Sequence, residues 1–233
     1  MKIKKIASII LAVIFVFLHC LVRVSAEDAY GKVYCRKTNE QGKIALTFDD
    51  GPHPRYTKEI LSILEEYHVT ATFFIIGVNA ENYPADLQRI VDSGCEIGNH
   101  TYSHLPIKKL SENELRQEIV RCEDTITRLC GISPLIFRPP EGMLSDTLQG
   151  LLKQMEYQIV LWSIDTMDWA MTPSSTIYQN VTQKIHGGDI ILMHDYVSGG
   201  NTTCQALRLM IPSLLARGYE FVTVSELIQE ERE

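Results

Sequence analysis

Asp49 and Asp50 stand side by side at the end of a short apolar run, Thr47-Phe48-Asp49-Asp50-Gly51-Pro52, and two histidines follow in His100-Thr101-Tyr102-Ser103-His104. Neighbouring residues of a strand point to opposite faces, so two adjacent acids share one site only where the chain turns. Gly51-Pro52 supplies that turn. Histidines at i and i+4 share one face of a helical turn, which lets both imidazoles reach one ion. The expectation is that Asp50, His100 and His104 hold one divalent metal, with Asp49 left beside it as a base. Three protein ligands and an open position are what a hydrolytic metal site requires.

Three more segments carry chemistry. In Phe137-Arg138-Pro139-Pro140-Glu141-Gly142 two prolines and a glycine stiffen a loop, and Arg138 at a strand end can aim at a carboxylate. Trp162-Ser163-Ile164-Asp165-Thr166-Met167-Asp168-Trp169 places acids and an indole after another strand; Trp162 reads as core, Trp169 as core or site. Ile191-Leu192-Met193-His194-Asp195 ends an apolar strand in a histidine. His53, His68 and His186 have no such context and read as ordinary polar histidines.

These groups need a scaffold. Ile44 to Phe48 reads as a strand and Tyr56 to Tyr67 as a helix with apolar residues near a 3.6 period. Strands follow at Ala71–Ile76, Glu96–Gly98, Leu135–Phe137, Ile159–Ser163, Asp189–Met193 and Phe221–Val224. Helices lie between them at Ala85–Ser93, Ser145–Met155, Ser174–Ile185 and Thr203–Ala216, with a short terminal one. Ser111-Glu112-Asn113-Glu114 is a capping box opening a long helix that stops near Gly131. Such alternation means parallel strands with helical crossovers. Every polar constellation falls just after a strand, which suits an open doubly wound sheet or a closed barrel. No Gly-rich phosphate loop follows the first strand, and the balance leans to a barrel.

With 233 residues, 45% of them apolar, the chain can bury one core as a single domain. Residues 1–26 differ in kind: Lys2, Lys4 and Lys5 precede an apolar run from Ile6 to Val22, and Val24-Ser25-Ala26 fits a small-residue cleavage site. A secretory signal is expected, the rival being an uncleaved membrane anchor. Residues 27–42, polar and aperiodic, read as a tether, and 43–230 as the catalytic domain. Loss of the signal removes four cations and no acids, taking the net charge from −7 to −11. Such a surface is unsuited to nucleic acid or anionic membrane. Cys35, Cys95, Cys122, Cys130 and Cys204 remain, without CxxC spacing. Cys122 and Cys130 stand ~12 Å apart on one helix, too far for a disulfide.

In order and spacing the five segments resemble the polysaccharide deacetylases of carbohydrate esterase family 4, the NodB-homology domain, over Lys43 to Leu227; TFDDGP and HTYSH carry most of the likeness. The resemblance implies an α/β fold, a single-domain distorted (β/α) barrel of the NodB type. It also implies metal-dependent hydrolysis of N-acetyl groups on a polysaccharide such as peptidoglycan N-acetylglucosamine or a chitin-like glycan. By the same resemblance Asp50, His100 and His104 match the metal triad, usually zinc. Asp49 matches the base, His194 the acid, Arg138 the partner of the base and Asp168 the acid that orients the histidine. Trp169 and Leu192 match the lining of the acetyl pocket. Glu141 departs from the pattern, which commonly has an aromatic there; its backbone N–H remains as a substrate-binding donor.

An O-acetyl esterase on xylan-like polymer, using the same residues, is the rival activity. A non-catalytic glycan-binding domain is the remaining alternative. The expected setting is secreted or cell-envelope associated. The expected partner is an acetylated glycan, with a membrane only if the N-terminal segment stays uncleaved, and the chain is expected as a monomer.

Overall fold

The computed structural model describes residues 30–37, 42–196 and 202–229. The signal segment 1–26 lies outside the described residues. Among them no helix is long and apolar enough to cross a membrane.

The strand at the centre, β2 (Lys43–Gly51), shows how the sequence builds the rest. Ile44, Leu46 and Phe48 alternate with Ala45, Thr47 and Asp49. The first three are fully buried under the outer helices, and Ala45 belongs to a second cluster inside the barrel. A period of two therefore turns Asp49 inward with Thr47. Burial on both faces is the mark of a parallel sheet covered by crossover helices.

The other strands are β1 (Val33–Tyr34), β3 (Thr72–Ile75), β4 (Glu96–Asn99), β5 (Ile136–Phe137), β6 (Gln158–Val160), β7 (Ile164–Asp165), β8 (Ile190–His194) and β9 (Glu220–Val222). All pair in parallel in the order β1-β6-β5-β4-β3-β2-β8-β7, with β9 against the start of β2. The helices are α1 (Tyr56–Glu66), α2 (Gly77–Asn82), α3 (Pro84–Asp92), α4 (Glu112–Cys130), α5 (Asp146–Gln154), α6 (Ser174–Lys184), α7 (Thr202–Ala216) and α8 (Val224–Ile228). The architecture is a distorted (β/α) barrel: the end strands β1 and β7 do not pair with each other among the described residues. Below them Lys37 N–H donates to Gly188 O at 2.9 Å and Arg36 pairs with the buried Asp189, drawing the β1 edge towards β8. Val224, Leu227 and Ile228 of α8 pack into the inner cluster.

Three local expectations change. The tether over 27–42 is partly sheet, since β1 pairs with β6 and Tyr34 is buried in the inner cluster. The strand expected over Ile159–Ser163 is broken, with β6 ending at Val160 and β7 starting at Ile164. Arg138 explains the break: its Nε and Nη2 donate to Val160 O (3.3 Å) and Leu161 O (2.9 Å), two carbonyls that stand where the ladder ends. The short α2 follows Ile76 directly, and nothing in its polar, aperiodic sequence announces it. The capping box of α4 forms as expected, and Gly131, at φ 75°, ends that helix. No disulfide joins the described cysteines.

Gly98 is small for a reason that reaches the site. A Cβ there would lie 2.5 Å from the Phe74 ring and 3.1 Å from Ile136, and the Arg138 guanidinium rests over that ring at 4.1 Å. Gly98→Ala is expected to overpack the barrel interior and cost about 1–3 kcal/mol. A lower urea midpoint at unchanged m-value would show it; an unaltered midpoint would mean that Phe74 yields freely.

Candidate active site

At the carboxyl ends of β2, β4 and β8 a cavity of about 400 Å³ is lined by Asp49, Asp50, His100, His104, Glu141, Trp162, Asp165, Trp169, Leu192 and His194. Larger hollows of about 770 and 790 Å³ lie on the outer surface away from the strands' carboxyl ends, one among Leu61, Leu64, Val69 and Phe221 with solvated charges around it, the other along Arg116, Arg121 and Arg128. Among the described residues, one His/Cys/Asp/Glu group has the spacing to hold a metal, and it belongs to the smaller cavity.

The two aspartates part company at the end of β2. Asp49 keeps its place in the strand and points inward, 4% exposed. Asp50 takes a left-handed φ of 74°, and the register against β3 slips between Asp49 and Gly51. That irregularity lets consecutive residues serve one cavity in different ways. Asp49 Oδ1 accepts from Arg138 Nη1 at 2.7 Å, and the same nitrogen donates to Thr47 Oγ1 at 2.8 Å, so the inward row of β2 is read by one guanidinium. Arg138 is fully buried; burial lowers its pKa and the Asp49 carboxylate opposes that shift. Asp49 Oδ2 faces His100 Nε2 at 3.7 Å.

Asp50 Oδ1 is buried without a hydrogen-bond partner, yet it stands 3.5 Å from both His100 Nε2 and His104 Nε2. The three ligand atoms lie within 4.8 Å of one another. Ligands ~2.1 Å from a tetrahedral ion stand about 3.4 Å apart, so the orphaned oxygen and its two imidazoles fit such a cation. His100 Nδ1 lies 2.7 Å from Arg138 O. A carbonyl only accepts, so Nδ1 carries the hydrogen and Nε2 presents its lone pair. Burial lowers the His100 pKa against the pull of Asp49 and Asp50, favouring the neutral form that ligation needs.

The helical turn expected for the histidine pair is absent. Residues 100–106 are loop, with Thr101 and His104 at φ 68° and 52°. Side chains fix this loop instead. Thr101 N–H donates to Asn99 Oδ1, Ser103 N–H and Oγ to Glu118, and His104 N–H to Thr101 Oγ1. Tyr102 OH donates to Glu81 at 2.7 Å, and Arg121 lies 3.5 Å over its ring.

Across the cavity, His194 Nδ1 pairs with Asp168 Oδ1 at 2.8 Å, and the His194 N–H donates to Asp168 Oδ2 at 2.8 Å. Thr203 Oγ1 and Trp169 N–H complete the environment of this fully buried carboxylate. Burial works against the imidazolium, but Asp168, with Asp49 and Asp50 further off, raises the His194 pKa to about 9. His194 therefore enters neutral solution carrying a proton to give.

Each residue singled out from the sequence reaches this place, and the structure adds others. Trp162, read as core, lines the cavity just beyond the end of β6, as does Asp165 at the end of β7. Glu141, at φ 57°, forms part of the wall, and Trp169 is half exposed. Thr47, two residues before Asp49, was legible from strand period alone. Asp195 follows His194 and is 1% exposed, its N–H donating to Asp49 O and its Oδ2 accepting from Thr57 at 2.6 Å.

Burial pushes the Asp195 carboxyl up to about 7, hydrogen bonds from Thr57 and the His53 amide opposing it and Asp50 and Asp86 adding to it. The folded state thus holds this proton to higher pH than the unfolded chain. Ionising Asp195 costs stability progressively as pH rises from about 4 to about 7, ~1.4 kcal/mol for each unit. Asp195→Asn is expected to stabilise the metal-free protein by a few kcal/mol at pH 8 and to leave it unchanged at pH 4, measured by urea unfolding. Equal midpoints at pH 8 would contradict the shift.

Comparison with known proteins gives a consistent picture. The family model described as polysaccharide deacetylase matches residues 36–160, more than half of the chain. A peptidoglycan-N-acetylglucosamine deacetylase of Bacillus cereus is 39% identical over 195 residues, covering 83% of this chain and 70% of the relative. The peptidoglycan-N-acetylmuramic acid deacetylase PdaC of Bacillus subtilis is 38% identical over 83% of this chain and 40% of its own length. The solved structure of the Bc1960 peptidoglycan N-acetylglucosamine deacetylase superposes with a TM-score of 0.82 at 36% identity, over 88% of this chain and 96% of that one.

Proposed function

The chain belongs to the polysaccharide deacetylases of carbohydrate esterase family 4, metal-dependent hydrolases, and from that premise we propose that it removes the N-acetyl group of N-acetylglucosamine in peptidoglycan, as an exported, cell-envelope enzyme. The observation that carries the chemistry is the division of labour between adjacent aspartates. Asp50 Oδ1 faces two imidazole nitrogens at 3.5 Å, while Asp49 is held by Arg138 at 2.7 Å.

Asp50, His100 and His104 would hold one divalent cation, zinc by the chemistry of two imidazoles and a carboxylate. When bound it supplies Lewis acidity towards the acetamide oxygen and acidifies water at neutral pH. The chain's own residues do the rest. Asp49 takes the proton of the attacking water through Oδ2, its other oxygen being occupied by Arg138. The N–H of Glu141, a residue of the cavity wall, is the donor for the oxyanion. Leu192 and Trp169 enclose the acetyl methyl. His194, fixed through Nδ1 by Asp168, presents Nε2 to the departing sugar nitrogen and gives it a proton.

That last step favours amide over ester cleavage. An amine anion is a very poor leaving group, so amide hydrolysis needs the acid as much as the base, and His194 is built to stay protonated. Mass spectrometry of defined peptidoglycan fragments, chitooligosaccharides and acetylated xylo-oligosaccharides after incubation with metal-loaded protein tests the proposal. Acetyl loss from N-acetylglucosamine is expected; loss from the xylan ester alone would overturn it, and loss from N-acetylmuramic acid alone would correct the sugar.

A further inference from the structure

Four aromatic rings gather outside the cavity lining, two of them on the loops that follow the strands carrying Asp49, Asp50 and His194. His53, three residues after Asp50, stacks on Tyr56 at the start of α1, with centroids 4.8 Å apart and planes at 29°. It also stacks on Tyr196, two residues after His194, at 4.8 Å and 16°. Tyr83, at the junction of α2 and α3, closes the group at 6.3 Å from His53. His53 was an ordinary polar histidine by sequence; in the fold it is the hub of this cluster.

We propose that this cluster is a glycan subsite, on which a pyranose of the polysaccharide strand next to the reacting sugar stacks while its acetamide partner occupies the cavity. The proposal rests on the deacetylase reading and extends it to the part of the polymer that does not react.

Placement comes first. A polymer bound with one sugar at Asp49 and His194 must leave the cavity across its rim, and the loops after β2 and β8 form one part of that rim. His53 and Tyr196 lie on them, three and two residues beyond those strands' functional ends. The rings are also available. Tyr196 is 46% exposed, and His53, Tyr56 and Tyr83 are half-buried. No hydrogen bond engages the hydroxyls of Tyr56, Tyr83 or Tyr196 among the described residues. An apolar ring face with free hydroxyls at its edge matches a pyranose, whose axial C–H face is apolar and whose rim carries hydroxyls.

The platform is pre-set as well. His53 Nδ1 accepts from the Arg55 and Tyr56 amides at 3.2 and 3.3 Å, and the His53 N–H donates to Thr57. Rings held this way lose little freedom when a sugar lands on them.

The test compares the parent with Tyr196→Ala and Tyr196→Phe, all metal-loaded, on N-acetylglucosamine oligomers from dimer to hexamer. The parent is expected to gain in kcat/KM with length. Tyr196→Ala should lower the hexamer-to-dimer ratio of kcat/KM about tenfold, mainly through KM, and Tyr196→Phe, which keeps the ring, should hold it near the parent's. A parent without length dependence, or a Tyr196→Ala loss equal on dimer and hexamer, overturns the subsite. Should the parent release no acetate from any oligomer, the deacetylase reading itself fails. Calorimetric titration of hexamer then decides the subsite alone: about tenfold weaker binding by Tyr196→Ala supports it, and equal affinity overturns it.

Discussion

Asp49→Asn is expected to lower kcat on an N-acetylated glycan by about 10²–10⁴-fold while leaving the metal content at the parent value. The reason is local. Asparagine has the size of aspartate and keeps an oxygen for Arg138 Nη1, which lies 2.7 Å from Asp49 Oδ1, but it cannot take a proton from water. The three atoms placed to hold the metal are on Asp50, His100 and His104, so the ion should remain. A cost accompanies the change, because the fully buried guanidinium loses its counter-charge; about 3–5 kcal/mol is usual for one-sided removal of a buried pair. Kinetics are therefore to be run where circular dichroism shows the variant folded, with the metal counted by atomic emission. Activity within twofold of the parent in a folded, metal-replete variant would remove Asp49 from the base role.

The second large effect concerns proton delivery. His194→Ala is expected to lower turnover of the amide by about 10²–10⁴-fold and of an aryl acetate far less, since a phenolate departs without a proton. Equal losses on both substrates would argue against the acid role. The pH profile adds a separate check. The acid works in its protonated form, so the rate should fall as pH rises through the His194 pKa of about 9. Asp168→Asn removes the carboxylate that donates most of that elevation, through the 2.8 Å contact to Nδ1. The alkaline limb should move to lower pH and activity at pH 8 should drop, with binding of a non-reacting oligomer retained. An unmoved limb in Asp168→Asn would separate His194 from the titration.

Much of this site was legible before any fold. The Gly51-Pro52 turn marked where two adjacent acids could share a site, and the order of the motifs along alternating strands and helices placed them at the carboxyl ends of strands. The histidine pair was legible in outcome and misread in form. Spacing of four suggests a helix because helices are the commonest way to align such residues. Here Asn99, Glu118, Glu81 and Arg121 hold a loop with two left-handed residues, and none of those contacts has a signature in local sequence. The broken β6–β7 strand failed for a similar reason: apolar β-branched residues promised a ladder, and a guanidinium from another segment took the carbonyls at its end.

What the sequence determined by itself was the set of reacting groups and their order along the strands, since side-chain type and the alternation of strand and helix patterns are local properties. The family resemblance pointed to the Arg138–Asp49 and Asp168–His194 pairs, the tertiary structure supplied their contacts, and it alone decided that His53 and Tyr196 meet. Those pairs lie 89, 26 and 143 positions apart. Their contact depends on how many strands separate them around the barrel and on which carbonyls and rings remain free when it closes.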